Sequence, residues 1–137
     1  MKGTLLDTNV LSELTRPKPE ARVASFVSAL QDACLSVLTL HELQFGLARL
    51  PAGRRRSDLS ASLNVLLDVY RRQILPVDAT VAERAADLRI EAHKIGRVLH
   101  LADALIAGTC LAHELRLATR NEQDFHGLSV PTFNPWK

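Results

Sequence analysis

Aromatic residues, cysteines and long apolar runs are scarce in this sequence. Only 4% of its 137 residues are aromatic, too few for the rows of rings on which single-stranded nucleic acids stack. The two cysteines, Cys34 and Cys110, lie far apart without Cys-x-x-Cys spacing, which excludes a disulfide framework and a zinc site and predicts two core residues. No apolar run approaches the roughly 18 residues of a membrane span. The N-terminal segment, interrupted by Asp7, does not resemble a signal peptide, so we expect a cytoplasmic protein with no membrane contact.

A strong excess of charge is also missing. Lys and Arg total 17 and Asp and Glu total 15, which gives a net charge of +2 and excludes both a polybasic tail protein and an acidic solvating chain. Thirteen of the basic residues are arginine, whose planar guanidinium suits phosphate. Hydrophobic residues make up 47% of the chain, enough for one core. We expect a single domain over residues 1–137.

Short apolar runs alternate with longer stretches of helical periodicity. The predicted strands are Gly3–Leu6, 34–38, 74–77, 115–119 and an edge strand within 130–136. The predicted helices cover 9–15, 20–30, 40–50, 59–70, 81–95 and Leu101–His113. Because the strands are apolar throughout rather than alternating, both faces of the sheet should be buried. This pattern predicts an α/β fold, a three-layer α/β/α sandwich around a parallel sheet of four to five strands.

Four acidic residues lie at predicted helix starts: Asp7, Glu42, Asp103 and Asp124. All of them except Asp103 closely follow a predicted strand. The carboxyl ends of parallel strands form one edge of the sheet, where binding sites are found in such folds. Asp103 would join the other three if its helix starts at the same edge. Converging carboxylates repel one another, and a divalent cation relieves that repulsion. Oxygen ligands without His or Cys suit Mg²⁺ or Mn²⁺ and suggest metal-assisted hydrolysis of a phosphodiester.

Helix capping is the alternative explanation of the same residues. Asp and Glu are favoured in first helical turns, and Asp7 or Asn9 could cap the first helix. Thr39 and Glu42 have the spacing of a capping box, and Asn121 and Asp124 repeat that spacing. The residues alone leave both interpretations open.

Four segments, taken in order, resemble the PIN-domain nucleases. They are LLDTNVLSEL (residues 5–14), LTLHELQFGLARL (38–50), LADALIAGTC (101–110) and LATRNEQDF (117–125). Their order and spacing look like those of the VapC toxins of toxin–antitoxin pairs. The stretch PAGRRRSDL (51–59) and the ending NPW (134–136) are similar to the FitB-like branch of these toxins.

The resemblance implies a metal-dependent endoribonuclease of PIN-like fold. Its metal ligands would be Asp7, Glu42, Asp103 and Asp124, the last in the most variable position of the family. The accompanying polar residues would be Thr8, Asn9, Thr119 and Asn121. Family members use Mg²⁺ or Mn²⁺, cleave RNA, usually form homodimers or larger toxin–antitoxin assemblies, and are held inactive by a cognate antitoxin. The resemblance therefore implies the toxin of a type II toxin–antitoxin pair.

Several basic residues are candidates for binding substrate phosphate. Arg120 follows a predicted site residue, and three consecutive arginines, Arg54, Arg55 and Arg56, stand near a helix start. Positive charge is unfavourable at a helix N-terminus, so the three favour an interaction with RNA or with an acidic antitoxin segment. His41 and His100 adjoin the acidic residues, but neither has a partner at ligand spacing. The apolar faces of helices 40–50 and 59–70 offer a surface for core packing or for an antitoxin helix.

Two other functions are compatible with parts of the pattern. A strand ending in Asp also opens phosphatases that form an aspartyl-phosphate, but these need a second Asp two residues later, where this chain has Asn9. The four lysines are also poorly placed for that chemistry. A catalytically silent PIN-like binding module, in which the acidic residues only cap helices, is the other alternative.

Overall fold

Five parallel strands form the central sheet of the computed structural model, which describes residues 3–137. Their order across the sheet is β3-β2-β1-β4-β5. In chain order they are β1 (Gly3–Leu6), β2 (Ala33–Ser36), β3 (Ile74–Leu75), β4 (Leu115–Ala118) and β5 (Thr132–Phe133). All four pairings are parallel. The predicted parallel sheet is confirmed, with its first strand at the centre.

Six α-helices and two 3₁₀ turns complete the described range. The helices are α1 (Thr8–Leu14), α2 (Ala21–Ala29), α3 (Val37–Ala48), α4 (Arg54–Tyr70), α5 (Ala79–Lys94) and α6 (Leu101–His113). The turns are Arg71–Gln73 and Glu122–Phe125. Within residues 3–137, no helix combines the length and the apolar character needed to cross a membrane.

Successive residues of β1 face opposite hydrophobic cores. Leu5 belongs to the core between the sheet and helices α5 and α6, where it is joined by Leu88 and Ile106. Leu6 belongs to the core on the other face, with α1, α2 and α4. Both leucines are fully buried, which explains why β1 is apolar throughout. The predicted α/β/α sandwich is therefore confirmed.

The boundary between β2 and α3 differs from the prediction. The apolar run 34–38 predicts a strand through Leu38, but β2 ends at Ser36 and α3 begins at Val37. The Ser36 hydroxyl accepts a hydrogen bond from the backbone N of Leu38 at 3.1 Å and so caps the helix. The predicted capping box is wrong, because Thr39 lies inside α3 and is fully buried.

The two cysteines are free, and Cys110 is fully buried. Burial raises the pKa of the Cys110 thiol well above its ordinary value, so this side chain acts as a small apolar residue. The prediction that it belongs to the core is confirmed.

Candidate active site at the carboxyl edge of the sheet

Asp7 lies directly after the central strand and is 5% exposed. Its Oδ1 accepts a hydrogen bond from the backbone N of Thr8 at 2.8 Å, which makes Asp7 the N-cap of α1. Its Oδ2 accepts a bond from the hydroxyl of Thr119, also at 2.8 Å. The Asp7 backbone N donates to the carbonyl of Ala118 at 3.0 Å. The carboxylate is therefore fixed between the ends of β1 and β4.

The Asp7 carboxyl is unusually hard to ionise. Its pKa is raised from 3.8 to about 6, chiefly by burial and also by the negative charges of Asp103 and Glu42, while the hydrogen bonds from Thr119 and Thr8 oppose the rise. A Ser or Thr at this position could cap α1 without burying a charge. The capping alternative accounts for the hydrogen bond to Thr8, but it does not explain why an ionisable group is buried here.

Glu42 is held in place by a chain of hydroxyl groups. It is exposed on α3, and its Oε1 lies 2.7 Å from the Thr8 hydroxyl. The Thr8 hydroxyl also lies 3.2 Å from that of Thr39. A hydroxyl has one proton and a carboxylate only accepts, so Thr8 donates to Glu42 and Thr39 donates to Thr8. Sequence reasoning treated Thr39 as a helix cap and missed this role, which depends on a contact between α1 and α3.

Asp103 and Asp124 complete the acidic edge. Asp103 is half-buried in the first turn of α6. Its pKa is raised by burial, then by the charges of Asp124 and Glu42, while His100 opposes the rise. Asp124 is exposed in the 3₁₀ turn Glu122–Phe125. The helix carrying Asp103 thus starts at the same edge, where Asp103 is within electrostatic range of Asp7, Glu42 and Asp124, and Asp7 is within range of Glu42.

The carboxylates do not form a closed cage. Among residues 3–137, no three His, Cys, Asp or Glu side chains are grouped closely enough to hold a metal ion by themselves. A fully protein-ligated site would need such a group.

Asn9 and Thr119 link the two loops beside Asp7. The amide nitrogen of Asn9 lies 3.4 Å from both Asp7 Oδ2 and the Thr119 hydroxyl, and its Oδ1 accepts from the backbone N of Arg120 at 3.1 Å. The Thr119 hydroxyl also accepts from the backbone N of Asn121 at 3.0 Å. Asn121 does not cap the following turn with its side chain; its carbonyl accepts from Asp124 N at 3.0 Å instead.

The predicted phosphate-binding arginines occupy three different places. The Arg120 guanidinium lies 5.1 Å from the centre of the Trp136 ring, and its charge lowers the pKa of Glu13. Arg54 and Arg55 line a groove of about 990 Å³ that also contains Thr8 and Glu42. Arg56 lies outside this groove and points towards the carbonyl of Leu50 at 3.5 Å. Arg54 and Arg55 are therefore connected to the acidic edge, whereas Arg120 is engaged elsewhere.

The two histidines near the site have different surroundings. His41 is exposed on α3 and its ring is stacked with that of Phe45 at 6.2 Å between centroids. His100 precedes α6 and is close enough to Asp103 to lower its pKa. His100 is thus exposed directly before a helix, while His41 belongs to an aromatic pair on the exposed side of α3.

The relatives of this chain agree with its fold. The PIN domain family matches residues 4–129. The FitB toxin of Neisseria gonorrhoeae is 39% identical over 135 residues, which cover 96% of this chain and 97% of that protein. VapC ribonuclease Y4jK of Sinorhizobium fredii is 37% identical over 136 residues, 97% of each protein. A solved structure of FitAB bound to the IR36 DNA fragment has a TM-score of 0.90 at 36% identity and covers 98% of this chain and 96% of that one. This chain belongs to the PIN domain family, in the group of the VapC and FitB toxins.

Proposed function

We propose that this chain is a Mg²⁺- or Mn²⁺-dependent endoribonuclease and the toxin of a toxin–antitoxin pair. The observation that carries the proposal is the buried carboxylate of Asp7 at the edge of the sheet, close to the carboxylates of Asp103 and Glu42, with Asp124 in turn close to Asp103. Its relative Y4jK is a ribonuclease, and its relative FitB is a toxin.

The donor set fits a hard divalent cation. Asp7, Glu42, Asp103 and Asp124 offer carboxylate oxygens, and Mg²⁺ characteristically binds through one or two carboxylates and several waters. Burial and neighbouring carboxylates raise the pKa values of Asp7 and Asp103, and a cation bound beside them would favour the ionised form of both. A cation bound there would supply an activated water and neutralise charge on the scissile phosphate.

The residues of the chain itself hold the acidic edge rigid and bind the RNA backbone. Asp7 is locked by Thr8 and Thr119, and Glu42 by Thr8 and Thr39. Arg54 and Arg55 stand at the groove that leads to this edge and are exposed. Arg54 lies 3.9 Å from the Asp58 carboxylate, and because such an exposed pair is weak, both guanidinium groups can bond phosphate oxygens. With few aromatic residues for stacking, recognition would depend on the backbone and shape of the RNA.

The two alternative functions fit the structure less well. In an aspartyl-phosphate phosphatase a second Asp would stand where Asn9 bonds Asp7 and the Arg120 backbone. Among residues 3–137, no lysine contacts Asp7, and Lys137 is paired with Glu122. In a silent binding module the acidic residues would only cap helices, and capping does not require a buried carboxyl whose ionisation is opposed by two neighbouring carboxylates.

Cleavage of RNA by the purified protein tests this function. We expect cleavage with Mg²⁺ or Mn²⁺ and none with chelator. The rate for Asp103→Asn should be at least a hundredfold lower, since this substitution removes a ligand of the cation that neutralises the charge developing on the phosphate. Asp87→Asn, an exposed residue of α5 that pairs with Arg84 at 3.5 Å, is the matched control and should retain full activity. Cleavage that persists in chelator, or an Asp103→Asn variant as active as the control, would contradict the proposal.

The same groove offers a surface for an antitoxin. Its lining combines apolar side chains with three arginines, Arg16, Arg54 and Arg55, and two carboxylates, Glu42 and Asp58; the apolar residues are Leu14, Leu43, Leu47, Leu59 and Leu63. Such a surface suits a segment with apolar side chains flanked by carboxylates. The relative FitB is part of FitAB in the solved structure bound to a DNA fragment. We therefore propose that a cognate antitoxin binds this chain, and we expect the chain to form homodimers.

The two groove arginines should contribute to RNA affinity by neutralising phosphates. In an inactive Asp7→Asn background, replacing Arg54 and Arg55 by Gln is expected to weaken binding of single-stranded RNA about tenfold. The slope of log affinity against log salt should fall by about 1.4, roughly 0.7 for each phosphate that is no longer neutralised. Arg71→Gln with Arg72→Gln, at the other end of α4, is the matched control. Equal effects of the two pairs would show that the arginines act only through net charge.

A further inference from the structure

Arg97 binds the backbone of the segment that carries Asp124. It lies between α5 and α6, and its Nη2 donates to the carbonyls of Gln123 and Asp124 at 2.8 and 2.7 Å. Its Nη1 donates to the carbonyl of His126. One guanidinium thus binds three carbonyl groups within four residues. On the basis of the proposed function, we infer that Arg97 is the positioning residue of Asp124.

Arg97 adds to a small number of other contacts that hold this segment. A 3₁₀ turn of four residues has poorer hydrogen-bond geometry than an α-helix. The turn is anchored by the buried ring of Phe125 and by backbone bonds from Asp124 N to the carbonyl of Asn121 at 3.0 Å, from His126 N to that of Gln123 at 3.2 Å and from Leu128 N to that of Phe125 at 3.1 Å. None of these bonds reaches the carbonyl of Asp124, which Arg97 binds. Within residues 3–137, the Asp124 carboxylate itself takes part in no hydrogen bond. Its direction therefore depends on the backbone, which Arg97 fixes.

Arg97 is itself well placed to act as a fixed point. Its backbone N donates to the carbonyl of Ala92 at 2.9 Å, so the residue is tied to the end of α5. Gly96 before it has φ +74, a left-handed conformation that turns the chain after the helix. Leu99, two residues later, is buried, and the chain then enters α6 with Asp103 in its first turn.

The guanidinium consequently joins the two segments that bear Asp103 and Asp124. These carboxylates interact, since the charge of Asp124 raises the pKa of Asp103. A guanidinium is suited to this link because its rigid fork directs several N–H groups in one plane. A lysine ammonium at the same place would carry the charge but not the geometry.

The first test compares Arg97→Met and Arg97→Lys with Arg89→Met, an exposed position of α5. For Arg97→Met we expect kcat for RNA cleavage to fall at least about tenfold with KM changed less than about twofold, because substrate binding does not involve Asp124 alone. Calorimetric titration with Mn²⁺ in the absence of RNA should show about fivefold weaker binding. Arg97→Lys should lie between the wild type and Arg97→Met, and Arg89→Met should match the wild type.

A double-mutant cycle with Asp124→Asn separates positioning from general stability. If Arg97 acts through Asp124, Arg97→Met should have no further effect on cleavage in the Asp124→Asn background. The inference is overturned if the effects of Arg97→Met and Asp124→Asn on RNA cleavage multiply, or if Arg97→Met binds Mn²⁺ as tightly as the wild type. If Arg97→Met does not fold, wild-type kcat and Mn²⁺ affinity for Arg97→Lys would overturn it equally. Full activity of Asp124→Asn would also overturn the inference, but it would leave the proposed function intact, which is tested separately by Asp103→Asn and by chelator.

Discussion

Replacement of Asp7 by Asn is expected to abolish RNA cleavage and, without metal at pH 7, to stabilise the protein. The loss of activity follows from the proposed metal site, in which Asp7 is the most buried carboxylate. The gain in stability follows from its pKa, which is raised from 3.8 to about 6. That difference corresponds to roughly 3 kcal/mol of unfolding free energy for a fully ionised group. Because the Asn amide replaces the hydrogen bonds of Asp7 imperfectly, we expect a net gain of about 1–2 kcal/mol.

The sign of this effect gives the expected pH dependence. A carboxyl with a raised pKa in the folded state stabilises the fold while it is protonated, below about pH 3.8. This contribution is lost as the pH rises through about 6. The stability of the wild type should therefore decline relative to that of Asp7→Asn between these values. Near pH 4 the order should reverse, with the wild type the more stable by up to about 1–2 kcal/mol, because only the cost of the imperfect Asn hydrogen bonds remains.

Urea unfolding of both proteins from pH 4 to 8, with chelator present, measures this difference. Mn²⁺ should then raise the stability of the wild type, by about 2.7 kcal/mol at a hundred times its dissociation constant, and leave Asp7→Asn unchanged. Asp87→Asn, at an exposed site of α5, serves as the control for removal of one negative charge. Equal free energies of unfolding for the wild type and Asp7→Asn at pH 7 would show that the charge of Asp7 does not destabilise the folded state.

The layers of the fold could be predicted from the sequence because they depend on burial alone. Residues such as Leu5 and Leu6 are buried on opposite faces of β1, and this leaves a continuous apolar run in the sequence. The end of β2 could not be predicted in the same way. Val37 and Leu38 continue the apolar run, but the hydroxyl of Ser36 caps a helix there. A single side-chain hydrogen bond outweighs the apolar pattern at this boundary.

The acidic edge could be predicted because parallel strands place their carboxyl ends together. The residues that orient these carboxylates could not, since their partners are distant in sequence. Thr39 reaches Glu42 through Thr8, 31 residues away, and Arg97 reaches Asp124 across 27 residues. The direction of a long side chain cannot be predicted from the sequence either. Arg120 directly follows the site residue Thr119, but its guanidinium lies over the ring of Trp136.

Replacement of Gly108 by Ala is expected to destabilise the protein and to impair cleavage. A Cβ at this position of α6 would lie 2.8 Å from the carbonyl oxygen of Val81 and 2.9 Å from the backbone N of Ala85. Both atoms belong to the backbone of α5, so no side-chain rotation relieves the clash and the two helices must separate. Such overpacking costs about 1–3 kcal/mol, and it shifts the helix that carries Asp103.

Gly46 provides a matched control for this substitution. It lies in α3, and a Cβ there would meet no atom within 4 Å. Gly46→Ala should therefore stabilise the protein by about 0.5–1 kcal/mol, because Gly loses more backbone entropy in a helix than Ala. Thermal and urea unfolding of the two variants should show shifts of opposite sign. Equal shifts would mean that α5 and α6 do not pack as closely as the structure shows, and the position of Asp103 would then not depend on this close approach.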